Sequence, residues 1–118
     1  MFREGYGINK AYIVVGYTDL RLGIDSLATI VKEKYKLNPF ERGILFLFCG
    51  RKTDRIKALL WEGDGFLLLY KRFERGHMQW PRSTNEAAAI TMEQYKLLMR
   101  GFNPIETRIY DVSPSKII

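Results

Sequence analysis

The chain holds one cysteine and one histidine in 118 residues. Cys49 alone excludes a disulfide within the chain, and with His77 as its only companion the usual Cys/His zinc patterns are excluded as well. A reducing compartment, the cytoplasm, is the expectation that follows. Long apolar runs are also missing. The longest, Ile44 to Cys49, is far too short to cross a bilayer, and the opening MFREGYGINK places no apolar stretch behind its charges. Neither a signal peptide nor a membrane partner is expected. There is no internal repeat, no long low-complexity segment and no catalytic motif of any strength, so no metal or cofactor is expected.

What is present is enough for one core. With 47% hydrophobic and 14% aromatic residues, 118 residues suit a single domain and are too few for two. The two ends, residues 1–10 and 103–118, are expected to be loosely ordered. Nineteen Lys and Arg against thirteen Asp and Glu leave a net charge of +6 and a pI near 9.5. Such a surface favours an acidic partner by long-range attraction, without naming it.

Along the chain, Tyr12 to Val15 reads as a first strand bounded by Gly16. Leu20, Ile24, Leu27, Ala28, Val31 and Tyr35 then fall on one helical stripe. Thr18 or Asp19 would cap this helix and Asn38-Pro39 would end it. Ile44 to Phe48 reads as a buried central strand. Asp54 to Glu62 alternates, with Arg55, Lys57, Leu59 and Trp61 on one face. Gly63-Asp64-Gly65 signals a hairpin. If Gly63 and Asp64 are its central pair, Trp61 faces Phe66, Leu59 faces Leu68, Lys57 faces Tyr70 and Arg55 faces Arg72; a slip to Asp64-Gly65 changes every pair. Arg75-Gly76 turns the chain into a short edge strand, His77 to Trp80, stopped by Pro81. Arg82 to Ala89 reads as a surface connection. Thr91 to Gln94 matches a capping box for a short helix ended by Gly101, with Tyr95, Leu98 and Met99 on its inner side. The expected fold is α+β: an antiparallel meander packed by one long helix in the N-terminal half and a short C-terminal helix.

The meander interleaves cations with aromatic rings. Arg51, Lys52, Arg55, Lys57, Lys71, Arg72 and Arg75 are candidates to neutralise phosphates, and Trp61, Tyr70 and Trp80 to add stacking or shape contacts to DNA. For any single aromatic, burial in the core is the commoner explanation. A metal-dependent nuclease would need Asp54, Glu62 and Asp64 to converge, with Lys57 or Lys71 beside them. Asp54 and Glu62 share a strand face but lie at its opposite ends. His77 and Cys49 read as structural residues.

Thr18-Asp19-Leu20-Arg21, Gly23-Ile24-Asp25, Leu27, Pro39-Phe40, Leu45-Phe46-Leu47-Phe48, Arg51, Asp54-Arg55, Lys57, Trp61, Asp64-Gly65-Phe66, Lys71-Arg72, Glu74 and Trp80-Pro81 together carry a resemblance. The pattern resembles the small accessory proteins of bacterial insertion sequences of the sixty-six family, often labelled TnpB or second-reading-frame product. It runs from about Tyr12 to Leu98-Met99-Arg100-Gly101. The chain departs from the family at Tyr17, where a proline is usual, and at Leu22, where a lysine or arginine is usual. The resemblance implies a non-enzymatic accessory role in transposition, beside a separate transposase. Two partners then follow as expectations. One is DNA. The other is the transposase, for which Asp19, Arg21, Asp25 and Pro81, with the Trp80-Pro81 pair and the Ile117-Ile118 tail, are the candidate contacts. The oligomeric state is left open.

Overall fold

The computed structural model describes residues 7–82 and 87–102. Its centre is a five-stranded sheet in the order β4-β3-β2-β1-β5, formed by β1 (Lys10–Val14), β2 (Ile44–Phe48), β3 (Arg55–Trp61), β4 (Phe66–Arg72) and β5 (Ala87–Ile90). β1 and β2 run parallel, and every other pair is antiparallel. A parallel pair needs a crossover connection, and here the helical segment between β1 and β2 supplies it. The sheet is therefore mixed, which corrects the purely antiparallel meander expected from the sequence.

β2 occupies the middle of the sheet and is buried on both faces, as its uninterrupted apolar run demands. Ile44, Phe46 and Phe48 join Val14, Leu27, Val31 and Leu59 on one face. Leu45 and Leu47 join Ala11, Ile13, Ile56, Ala58, Leu60, Trp80, Tyr95 and Leu98 on the other. The β3–β4 hairpin adopts the register centred on Gly63 and Asp64, with Trp61 opposite Phe66 and Arg55 opposite Arg72. Gly63 has φ +96°, a backbone region open to glycine and strained for other residues.

The expected long helix is absent. In its place α1 (Ile24–Thr29) runs six residues and passes into a π-helical turn (Ile30–Lys34), in which Tyr35 N–H donates to the Ile30 carbonyl at 3.3 Å. Lys36, at φ +57°, ends it before Asn38-Pro39. Gly23, a poor helix residue, stands at the N-cap, so neither Thr18 nor Asp19 caps the helix. Leu20, Ile24, Leu27, Ala28, Val31 and Tyr35 nevertheless all pack on the sheet face carrying Phe46. The apolar period identified the contact surface, and overestimated how much of it is helix.

Two further expectations fail on the opposite face. Residues 77–80 form no strand. They cross beneath the sheet, with Met78 N–H donating to the Thr53 carbonyl (2.8 Å) and the Trp80 indole N–H donating to the Val14 carbonyl (3.0 Å). The edge strand next to β1 is instead β5, which begins inside the Arg82 to Ala89 segment read as a surface connection and ends one residue beyond it. Alanine has little strand propensity of its own, but β5 completes the backbone bonding of β1. α2 (Met92–Met99) begins with the expected capping box, both bonds present, and ends at Gly101 (φ +91°) with Phe102 N–H bonded to the Leu97 carbonyl. Apart from residues 7–10 and Phe102, the chain ends, including Ile117-Ile118, lie outside the described residues, as do 83–86 of the connection.

Candidate functional site

β1 and β2 are parallel neighbours, so their carboxyl ends open on the same side of the molecule. The chain leaves β1 through residues 17–21 and β2 through residues 50–52. These two segments form the walls of an open groove of about 990 Å³ whose other boundary is the basic end of the β3–β4 hairpin. Tyr17, Thr18, Asp19, Leu20, Arg21, Gly50, Arg51, Lys52, Arg55, Lys57, Leu68 and Tyr70 line it. The carboxyl ends of adjacent strands are a common ligand position in open α/β sheets.

The groove contains five cationic side chains, Arg21, Arg51, Lys52, Arg55 and Lys57, against one carboxylate, Asp19. Their freedom differs. Arg21 is clamped on Asp19, its Nε 3.0 Å from Oδ1 and its Nη2 2.9 Å from Oδ2. The Asp19 carboxylate also accepts the Arg21 backbone N–H at 2.9 Å. These bonds, with the Arg21 and Lys57 charges, hold the Asp19 carboxyl down at about 2. Arg55 bonds Asp54 at 3.2 Å, lowering the Asp54 carboxyl below its ordinary range and raising its own guanidinium. Lys57 donates from Nζ to the Leu22 carbonyl at 2.8 Å. Arg51 and Lys52 pair with no carboxylate among the described residues.

Arg82, just outside the lining, braces both walls. Its Nη1 donates to the Gly16 carbonyl (2.6 Å), and its Nη2 donates to the carbonyls of Gly50 (2.6 Å) and Arg51 (3.2 Å). Its guanidinium also lies 4.2 Å from the centre of the Tyr17 ring, and the Arg51 guanidinium lies 5.3 Å from the same ring. Tyr17 thus ties a cation of one wall to the brace of both. Tyr70 meets a cation differently, through its hydroxyl, which interacts with the Arg55 guanidinium. It is 54% exposed, and no aromatic ring or cation stacks on it among the described residues.

The groove therefore brings together Arg51, Lys52, Arg55, Lys57 and Tyr70 from the candidate DNA contacts, and Asp19 and Arg21 from the candidate partner contacts. The remaining candidates lie elsewhere. Lys71 points to the other face, with its ammonium 4.9 Å from the Phe73 ring centre, and Arg72 pairs with Glu74 at 2.9 Å. Arg75 is exposed on the turn beyond β4. Trp61 sits at the far end of the hairpin in contact with Phe40 and Phe66. Trp80, only 5% exposed, belongs to the core, so its ring is not presented to a partner in this structure. Asp25 is exposed in the first turn of α1, and Pro81 is half-buried, its carbonyl accepting the Gly16 N–H. Sequence reasoning missed Tyr17, Leu20, Leu68 and Arg82. For Tyr17 a signal existed, since it stands where the resembled family usually has proline. For Arg82 there was none, because its partners are backbone carbonyls.

Asp54 and Glu62 flank opposite ends of β3. Among the described residues no group of three or more His, Cys, Asp or Glu is placed to hold a metal ion, and no helix is long and apolar enough to cross a membrane.

Comparison with known proteins gives the class and then the family. A family model described as "IS66 Orf2 like protein" matches residues 9–108. A protein of Sinorhizobium fredii (strain NBRC 101917 / NGR234), "Uncharacterized protein y4hO", is 39% identical over 94 residues, which cover 80% of this chain and 81% of that one. A second from the same strain, "Uncharacterized protein y4jC", is 28% identical over 85 residues, 72% of each chain. No solved structure matches. The chain belongs to the IS66 Orf2-like family, and that membership points to an accessory role in transposition.

Proposed function

We propose that the accessory role is exercised on DNA, without a reaction of the chain's own, through the groove at the carboxyl ends of β1 and β2. The observation that carries this reading is the convergence of Arg51, Lys52, Arg55 and Lys57 on one concavity whose lining holds a single carboxylate, Asp19, while Asp54 bonds Arg55 at its edge. Phosphate contacts of this kind supply sequence-independent affinity, release counterions and make binding steeply salt-dependent. Arg51 and Lys52 are the cations expected to contribute most, because neither has to leave a carboxylate first.

The test is binding of the purified protein to labelled duplexes carrying the element's terminal repeats and to scrambled duplexes, from about 50 to 200 mM salt. The double substitution Arg51→Ala/Lys52→Ala is expected to weaken binding on every duplex and to reduce the salt slope by about 1–2. An unchanged slope would overturn this contact map.

A second reading, a module that holds the transposase, is favoured by a different surface. Phe40, 51% exposed, packs edge-on to Trp61 with ring centres 5.0 Å apart and lies 5.2 Å from Phe66, forming an aromatic cluster at the end of the hairpin away from the groove. Co-purification with the transposase at high salt, lost on Phe40→Ser substitution, is the result this reading expects.

A further inference from the structure

We propose that the groove takes unpaired DNA, with a base on the Tyr70 ring and the adjoining phosphates on Arg51 and Lys52; the inference rests on the DNA reading above and narrows its substrate. Three observations carry it. The first is that the cations do not form a track. Arg51, Lys52, Arg55 and Lys57 gather in the groove, whereas Lys71 lies on the opposite sheet face and Arg72 is held by Glu74. A single strand is held by a positively charged groove that also presents aromatic rings to its bases, which is the combination gathered here.

The second is the chemistry between the cations. Leu20, Leu68, Tyr17 and Tyr70 also line the groove, and phosphates alone would gain nothing from apolar or aromatic walls. A duplex keeps the faces of its bases stacked inside and offers its groove edges and backbone, so these walls would stay unused. An unpaired nucleotide presents a ring face and a phosphate together.

The third is the contrast between the two tyrosines. Tyr17 is taken up by Arg82 and Arg51, which fixes a cation at the wall. Tyr70 lies beside Leu68 on the same side of β4, directly across from Lys57; Arg55 engages its hydroxyl, and the face of its ring is left unstacked among the described residues. It is held on a strand, so it is a preformed platform rather than a loop residue that must be ordered on binding. DNA strands become locally unpaired whenever ends are processed or exchanged, which makes such a substrate available to an accessory factor of transposition.

The experiment compares a labelled strand of roughly 12 nucleotides, without self-complementarity, with the same strand annealed to its complement, by fluorescence anisotropy at matched salt. The single strand is expected to bind about tenfold more tightly. Tyr70→Ala should lose about tenfold on the single strand and little on the duplex, with the salt slope unchanged, and Tyr70→Phe should retain the wild-type preference. Tyr70 is an exposed edge-strand residue, and the phenylalanine variant separates loss of the ring from loss of the fold. Equal binding of both forms by wild type and Tyr70→Ala would overturn this inference and leave the DNA reading standing. No binding of either form even at low salt would overturn both. Displacement of the strand by oligo-glutamate with equal ease from wild type and Tyr70→Ala would also overturn it, leaving an acidic protein segment as the occupant.

Discussion

Arg82 lies outside the basic, aromatic stretch that dominates the sequence, yet three backbone carbonyls around the groove accept its N–H groups. Gly16 follows β1 and Gly50 follows β2, so one guanidinium crosslinks the two strand ends where the sheet ladder has stopped. Its planar fork suits the task in a way that an ammonium does not, because a lysine can reach either carbonyl but cannot bridge both and cover Tyr17 at once. Arg82→Lys is expected to lower stability by about 2 kcal/mol, since at least one charge-assisted bond to a sheltered carbonyl is lost. Urea unfolding measures it; a midpoint equal to wild type would show that the brace carries no stability. At the same scale Asp19 has the opposite character. It is a surface carboxylate whose low pKa comes from Arg21, and it restrains a groove cation rather than supporting the fold.

The elements differ in how far the sequence revealed them, and the differences have physical causes. β2, β3, β4 and α2 were legible because each carries its own local signal: an unbroken apolar run, period-two alternation about Gly63-Asp64, and a capping box. β5 was not, because an Ala-Ala-Ala-Ile strand exists by completing the bonding of β1, a partner remote in sequence. The helix after β1 was half legible. Its apolar stripe was correct, but Gly23 and the π-helical turn at Ile30–Lys34 are backbone events that side-chain periodicity does not report. The same division applies to the site. The basic half of the groove lies on the β3–β4 hairpin and the turn after β2, where register could be inferred, and the other wall comes from residues 17–21, which only the parallel β1–β2 pairing brings near. For α2 the local signal supports a quantitative expectation. Thr91 Oγ1 accepts the Gln94 N–H at 3.1 Å and Gln94 Oε1 accepts the Thr91 N–H at 2.8 Å, so Thr91→Ala removes one bond of the box and weakens the other. A loss of about 1 kcal/mol in chemical unfolding is expected, and a loss below a few tenths would mean that packing of Tyr95 and Leu98 alone holds the helix.

At the scale of the whole molecule, the core contains two acidic groups whose burial favours their neutral forms. Burial pushes the Cys49 thiol up to about 11 from 9.0, against the pull of Arg82, and pushes the Tyr95 phenol up to about 12 from 10.0. Both belong to the cluster on the α2 side of the sheet. A folded-state pKa above the unfolded value means that the unfolded chain releases its proton first, so unfolding is progressively favoured as pH rises. The contribution of Cys49 is intact below pH 9 and is lost as pH climbs toward about 11, and that of Tyr95 is lost from pH 10 toward about 12. Each corresponds to about 2–3 kcal/mol at the top of its window. The measurement is the urea midpoint between pH 8 and 11 for wild type, Cys49→Ala and Tyr95→Phe. Cys49→Ala should flatten the alkaline decline from pH 9 upward. Tyr95→Phe should flatten only its later part, and at neutral pH it should be neutral or slightly stabilising, because among the described residues the buried Tyr95 hydroxyl has no hydrogen-bond partner to lose. If neither variant changes the pH slope, the two buried groups do not govern alkaline unfolding.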